Sequence, residues 1–257
     1  MSTYKLVALD MDGTTLNDRH EVSEPTAYWI KRAMEAGVTV CFSTGRGYRE
    51  VLSYTEQLGM MHVPMVTVNG GEIWSRPHVL HKRELLDPGT IRNLHKLAQK
   101  YDVWFWAYTT NGEVFNKEKW LVPADAYAAH HWLKFGCNTE DDAVREAILQ
   151  EASSWGNLEI TNSSPWNLEM NPFGVSKASA LRELCSMLGI EMSQTVAVGD
   201  SLNDIAAIRE AGLGVAMDNA QDEVKRAADV VTFSNNEHGV AEVLRKYVLK
   251  AEVPLWS

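Results

Sequence analysis

Short apolar runs that close on polar or glycine residues mark both ends of this chain, while its middle alternates apolar and polar positions. Leu6-Val7-Ala8-Leu9, Val38-Thr39-Val40-Cys41-Phe42, Pro64 to Val68 and Thr195 to Val198 read as strands buried on both faces of a parallel sheet. Helical patterns lie between them. Ala27, Ile30, Ala33 and Met34 form one stripe after Glu24-Pro25, where proline suits a first turn, and Gly37 ends it. Tyr48 to Leu58 predicts a second helix, stopped by Gly59. Strand–helix–strand units of this kind build a parallel sheet that binds ligands at the C-terminal ends of its strands. The same texture returns at Ser176, with helices at Ala178 to Leu188, Asp204 to Ala211, Gln221 to Ala228 and Val240 to Val248, and strands at Gly214 to Met217 and Val230 to Phe233.

The middle of the chain reads differently. Glu72-Ile73-Trp74 and Val79-Leu80-His81 predict a short extended pair, and Pro88 to Gln99 a helix. Val103 to Tyr108 and Glu113 to Phe115 predict a hairpin across Thr109-Thr110-Asn111-Gly112. Trp132 to Phe135, the helix Asp141 to Ala152, and strands near Leu158 to Thr161 and Asn167 to Met170 complete an α+β unit. The expectation is an α/β core from residues 1–82 and 173–257, interrupted by a domain of residues 83–172. That domain carries Trp104, Trp106, Trp120, Trp132, Trp155 and Trp166, which are expected to fill its core, with one or two lining a pocket for an organic leaving group.

Composition narrows the function. A hydrophobic content of 45% with 23% charged residues is that of a globular protein. A formal charge of -10 disfavours a nucleic-acid backbone binder. No apolar run is long enough to span a bilayer, and the N-terminus reads as a core strand rather than a leader, so a cytoplasmic location away from membranes is expected. Cys41, Cys137 and Cys185 are expected to be buried free thiols, and the histidines, His130-His131 among them, show no zinc spacing. Oligomeric state is left open.

Candidate chemistry begins at Asp10-Met11-Asp12-Gly13. Two carboxylates one residue apart at a strand end share a side and are costly there without a cation. Mg²⁺, which takes oxygen ligands, fits that place, although an Asp-Gly turn alone is an alternative. Further polar lips follow at Ser43-Thr44-Gly45-Arg46, at Asn69-Gly70-Gly71, at Ser176-Lys177 and at Gly199-Asp200-Ser201-Leu202-Asn203-Asp204.

In this order, from about Tyr4 to Val248, the motifs resemble the haloacid dehalogenase-like hydrolases, specifically Cof-type phosphatases with an α+β cap (C2, type IIB) inserted after the third core strand. The resemblance implies a Rossmann-like core and a Mg²⁺-dependent phosphomonoesterase working through an aspartyl phosphate. Asp10 would be nucleophile and metal ligand. Asp12 would give the metal its backbone carbonyl and move protons with its side chain, and Asp200 would be the further metal ligand. Thr44, Gly45, Lys177 and Asn203 would hold the phosphoryl group. Asp204 would hold water at the metal or orient Lys177, while Asn69 and Arg46 are supporting candidates. Thr15 stands where the family often has Leu, and Ala178 where it usually has Gly. The expected substrate is a small phosphorylated metabolite, a sugar phosphate first and flavin or pyridoxal phosphates after it. A phosphomutase is the nearest alternative, and a catalytically silent binding or regulatory protein the alternative of another class.

Overall fold

The computed structural model describes residues 3–123 and 126–255. The chain runs through β1 (Leu6–Leu9), α1 (Glu24–Glu35), β2 (Thr39–Phe42), α2 (Tyr48–Gln57), β3 (Met65–Thr67), β4 (Glu72–Arg76) and β5 (Val79–Arg83). Next come α3 (Pro88–Lys100), β6 (Trp104–Thr109), β7 (Val114–Asn116), β8 (Trp132–Asn138), α4 (Asp142–Ser153), β9 (Leu158–Thr161) and β10 (Asn167–Pro172). It closes with α5 (Lys177–Leu188), β11 (Thr195–Gly199), α6 (Ile205–Glu210), β12 (Leu213–Ala216), α7 (Asp222–Ala227), β13 (Val230–Val231) and α8 (Gly239–Val243).

Five of these strands form a parallel sheet in the order β13-β12-β11-β1-β2. All four residues of β1 are buried, as its unbroken apolar run requires. Its register sets Leu9 beside Val198 on one side and Phe42 on the other. The polar residues that follow each strand, Asp10, Asp200 and Ser43-Thr44, therefore leave the sheet at one edge. α1 turns Thr26, Trp29, Ile30 and Ala33 inward, with Ala27 and Met34 only half-buried. Trp29 joins the buried stripe because its indole N–H donates to the Leu255 carbonyl at 3.1 Å, which satisfies its one polar atom.

The third apolar run behaves differently from expectation. β3 does not ladder into the parallel sheet but pairs antiparallel with β4, which pairs with β5. It meets the end of β2 through one bridge, Ser43 to Val66. Val68 and Asn69 then take positive φ, 55° and 56°, and end the strand after three residues. The chain bends here before a longer ladder can form.

The middle segment builds a second, antiparallel sheet in the order β7-β6-β8-β10-β9 with a hydrophobic core of its own. Phe105, Ala107, Phe135, Cys137, Leu168 and Met170 pack beneath α3 and α4 on one face. The alternating residues of the same strands, among them Trp106, Tyr108, Lys134, Glu169 and Asn171, occupy the opposite face, towards the strand ends of the parallel sheet. α3 and α4 start on side-chain caps, Asp87 accepting from Thr90 N and Asp141 from Ala143 N and Val144 N, each worth about 1 kcal/mol. Trp120 and Trp132 stack with ring centres 5.7 Å apart inside this unit, as core-filling tryptophans should. Cys41, Cys137 and Cys185 are free and buried. No helix among the described residues is long and apolar enough to cross a membrane.

Candidate active site

The site is built where β1, β2 and β11 end. Asp10 stands one residue beyond β1 and is buried. Lys177, the first residue of α5, donates from Nζ to Asp10 Oδ1 at 2.6 Å and to Asp204 Oδ1 at 2.7 Å. A lysine opening a helix works against the helix dipole, and here two carboxylates offset that cost. Ser176 and Ser179 cap the helix reciprocally and fix the first turn from which Lys177 reaches across. Asp204 in turn accepts from the backbone N–H groups of Asp200 and Ser201, each at 3.1 Å. Asp200 accepts from Thr14 and Ser201 hydroxyls at 3.1 Å. Gly13 makes this approach possible: it has φ +70°, and a Cβ there would lie 2.5 Å from Asp200 Oδ2.

Asp10, Asp200 and Asp204 offer carboxylate oxygens all within 4.8 Å of one another. Asp12 is not part of that side-chain group. Its carboxylate is gripped by Arg46, with Nε to Oδ2 at 2.7 Å and Nη2 to Oδ1 at 2.6 Å, and His20 stands 3.5 Å away. Arg46 is thus an ion-pair partner here. Burial pushes the Asp12 carboxyl up, but the Arg46 hydrogen bonds and charge outweigh it and hold it below the usual range. The opposite holds for its neighbours. Burial, reinforced by Asp204 and Asp200, pushes Asp10 well up against the pull of Lys177. Burial and the Asp204 charge push Asp200 up to about 7. Crowded, dehydrated carboxylates of this kind are a hard-oxygen donor set suited to a small divalent cation, which relieves both repulsion and burial.

Asp10, Asp12, Thr44, Gly45, Arg46 and Asn203 line one cleft of about 210 Å³. The other wall comes from the antiparallel sheet, with Trp106, Tyr108, Lys134, Asn167 and Glu169, and from Ser163 in the loop between β9 and β10. Asn203 donates to Asn69 Oδ1 at 3.1 Å, and Asn69 donates to Glu169 Oε2 at 2.6 Å. Lys134 donates to Glu169 Oε1 at 2.9 Å and to the Gly45 carbonyl at 2.7 Å. Sequence reasoning missed Lys134 and Glu169. The available signal was a lysine in the otherwise apolar run Trp132-Leu133-Lys134-Phe135 and a glutamate between Leu168 and Met170, charges at strand positions where burial demands a partner. Of the tryptophans in the middle segment, Trp106 lines this cleft.

Comparison with known proteins agrees with this geometry. A model of the haloacid dehalogenase-like hydrolases matches residues 7–147 and 129–244. The chain is 45% identical over 245 residues to a 5-amino-6-(5-phospho-D-ribitylamino)uracil phosphatase of Bacillus subtilis (strain 168), covering 95% of this chain and 96% of that protein. A second B. subtilis phosphatase of the same name is 30% identical, over 94% and 97% of the two chains. The solved structure of a haloacid dehalogenase-like hydrolase from B. subtilis superposes with a TM-score of 0.84 at 26% identity, over 94% of this chain and 99% of that one.

Proposed function

The chain belongs to the haloacid dehalogenase-like hydrolases and is a phosphatase, and on that premise we propose that it hydrolyses a small phosphomonoester with Asp10 as nucleophile and Mg²⁺ as cofactor. The observation that carries this reading is the setting of Asp10. Lys177 takes its Oδ1, while Oδ2 accepts no hydrogen bond among the described residues, at the floor of a cleft lined by Thr44, Gly45 and Asn203. A carboxylate so held is oriented to attack phosphorus.

In the first step an Asp10 oxygen bonds to phosphorus, the phosphorus–oxygen bond to the alcohol breaks, and Asp12 gives the departing oxygen a proton. In the second, water attacks the acyl phosphate, Asp12 takes the proton, and Asp10 and inorganic phosphate are restored. Thr44, the Gly45 backbone, Lys177 and Asn203 hold the phosphoryl oxygens. Asp10, Asp200 and the Asp12 backbone carbonyl would hold Mg²⁺, which supplies positive charge against the phosphoryl oxygens. Asp204 anchors Lys177. Asp12 has to exchange Arg46 for the leaving oxygen to play its part, so Arg46 controls when it is free.

The substrate we infer is a phosphorylated polyol or sugar chain carrying a planar ring, the class named for the 45% identical relative. Residues 83–172 act as the cap that selects it, because phosphate recognition comes from residues outside that range and discrimination must come from the leaving group. Trp106 and Tyr108 supply aromatic surface for such a group. Asp10→Asn tests the central claim: it removes one charge at constant volume and should abolish release of phosphate at saturating Mg²⁺ while the circular dichroism spectrum stays unchanged. Substantial turnover by the purified variant would reject Asp10 as nucleophile.

A further inference from the structure

Lys134 and Glu169 stand on adjacent strands, β8 and β10, and both are buried, at 1% and 4% exposure. A buried ion pair needs its remaining donors and acceptors satisfied, and here both partners spend them on the loops of the parallel-sheet unit. Lys134 reaches the Gly45 carbonyl after β2. The second oxygen of Glu169 accepts from Asn69, just after β3. Asn69 is held for this contact at φ 56° behind Val68 at φ 55°, a conformation that costs a β-branched residue about 1–3 kcal/mol. Backbone bonds fix the strained pair in place, Val68 N donating to Arg46 O and Asn69 N to Thr44 O, both at 2.9 Å.

The consequence lies in the amide orientations. Lys134 only donates, so both the Glu169 oxygens are acceptors, and the carboxyl stays ionised because Lys134 and Asn69 outweigh the effect of burial. Asn69 must therefore turn its NH₂ to Glu169 and its oxygen to Asn203. Asn203 must answer with its NH₂, at 3.1 Å. That leaves its second amide hydrogen for the cleft and its Oδ1 buried with no partner among the described residues. Asn171 adds a longer contact in the same sense, its Oδ1 accepting from the Asn69 NH₂ at 3.4 Å while its own NH₂ donates to the Val68 carbonyl at 2.9 Å. The short, charge-assisted bond to Glu169 is therefore the dominant of the two contacts that orient Asn69.

We propose that Glu169, held by Lys134, is a positioning residue that orients Asn69 and through it Asn203, so that the phosphoryl group meets an amide donor instead of an acceptor. The proposal rests on the reading that Asn203 contacts the phosphoryl group. It makes closure of the antiparallel sheet over the cleft part of phosphate recognition, because the orienting carboxylate belongs to that sheet.

Glu169→Gln is the test, since it keeps the shape but leaves one oxygen for two donors. The Lys134 ammonium takes that oxygen and the glutamine NH₂ faces Asn69, which turns both asparagines over against the longer Asn171 contact at 3.4 Å. Inhibition by inorganic phosphate should weaken about tenfold, the equivalent of one net hydrogen bond, and kcat/KM should fall comparably for every ester, p-nitrophenyl phosphate included. In an Asn203→Ala background the same substitution should cost little more, because the group it acts through is gone. Asn69→Ser cuts the relay while leaving the ion pair and carries the same expectation if Glu169→Gln does not fold. An undiminished Glu169→Gln effect in the Asn203→Ala background, unchanged phosphate inhibition in Glu169→Gln, or an Asn203→Ala protein that behaves as wild type would each overturn the relay. All three leave the phosphatase reading standing; that reading falls to an active Asp10→Asn protein.

Discussion

Asp12 and Asp10 are two residues apart, yet their carboxyl groups lie in opposite electrostatic settings. Arg46 draws Asp12 below the ordinary carboxylate range, whereas burial pushes Asp10 up. Acids held in such unlike settings can take unlike roles, here nucleophile for Asp10 and proton carrier for Asp12. If Asp12 must be protonated when the alcohol leaves, removing Arg46 raises its pKa and preserves the acid form to higher pH. Arg46→Met should therefore move the alkaline limb of the kcat/KM profile upward, and an unmoved limb would show that Arg46 does not govern the proton donor. At this scale the sequence was readable where a side chain follows directly from a strand end. Asp10, Thr44 and Asp200 stand at or just past strand ends, and Lys177 and Asn203 were singled out by the order of the motifs that the family resemblance rests on. The Arg46–Asp12 grip and the Lys134–Glu169 pair join positions 34 and 35 residues apart in sequence. Neither partner's segment shows which way the other faces.

Elements were legible to the extent that their periodicity was clean. The strands β1, β2 and β11, the capped helices α3 and α5 and the hairpin of β6 and β7 follow the hydrophobic pattern to within a residue or two. β3 did not, because the pattern of a three-residue buried strand does not reveal which neighbour pairs with it, and the β4 edge won. β6 shows what alternation can decide. Phe105 and Ala107 face the local core, so Trp106 and Tyr108 fall on the cleft side. Trp106 lies against Gly136 on the next strand, where a Cβ would come within 2.3 Å of the indole ring. The missing side chain lets the ring settle on the sheet, and the ring stacks on no other aromatic among the described residues. An indole supported from behind is a platform for a planar leaving group. Trp106→Ala should lower kcat/KM for a ring-bearing phosphoribityl substrate about tenfold relative to ribitol 5-phosphate, with Trp106→Phe retaining most of the difference. Equal losses on both substrates would assign the ring's recognition elsewhere.

At the scale of the whole molecule, the acidic cluster links stability to pH and to the cofactor. Asp200 has its pKa raised from 3.8 to about 7 by burial and by Asp204, and Asp10 is displaced in the same direction. In the metal-free protein the native state keeps a proton on Asp200 that the unfolded chain releases. This contribution is fully present below the unfolded value and is lost as pH rises through the folded one. Asp12 and Glu169 have lowered values, so their contributions are lost as pH falls through their folded values, in a separate, more acidic window. Between about pH 5 and pH 8 the raised acids therefore set the trend, and metal-free stability should decline. Mg²⁺ binds the ionised carboxylates and competes with that proton, so its stabilising effect should grow over the same range. Thermal unfolding with and without Mg²⁺ at about pH 5.5 and about pH 8 checks this, with a larger rise in Tm at the higher pH. Asp200→Asn, which cannot ionise, should reduce the metal-free decline to the part that Asp10 contributes and remove most of the Mg²⁺ increment. An increment that is the same at both pH values, or the same in the variant, would place the cation away from the ends of β1 and β11. The convergence of the strand ends would then have to serve the phosphate alone.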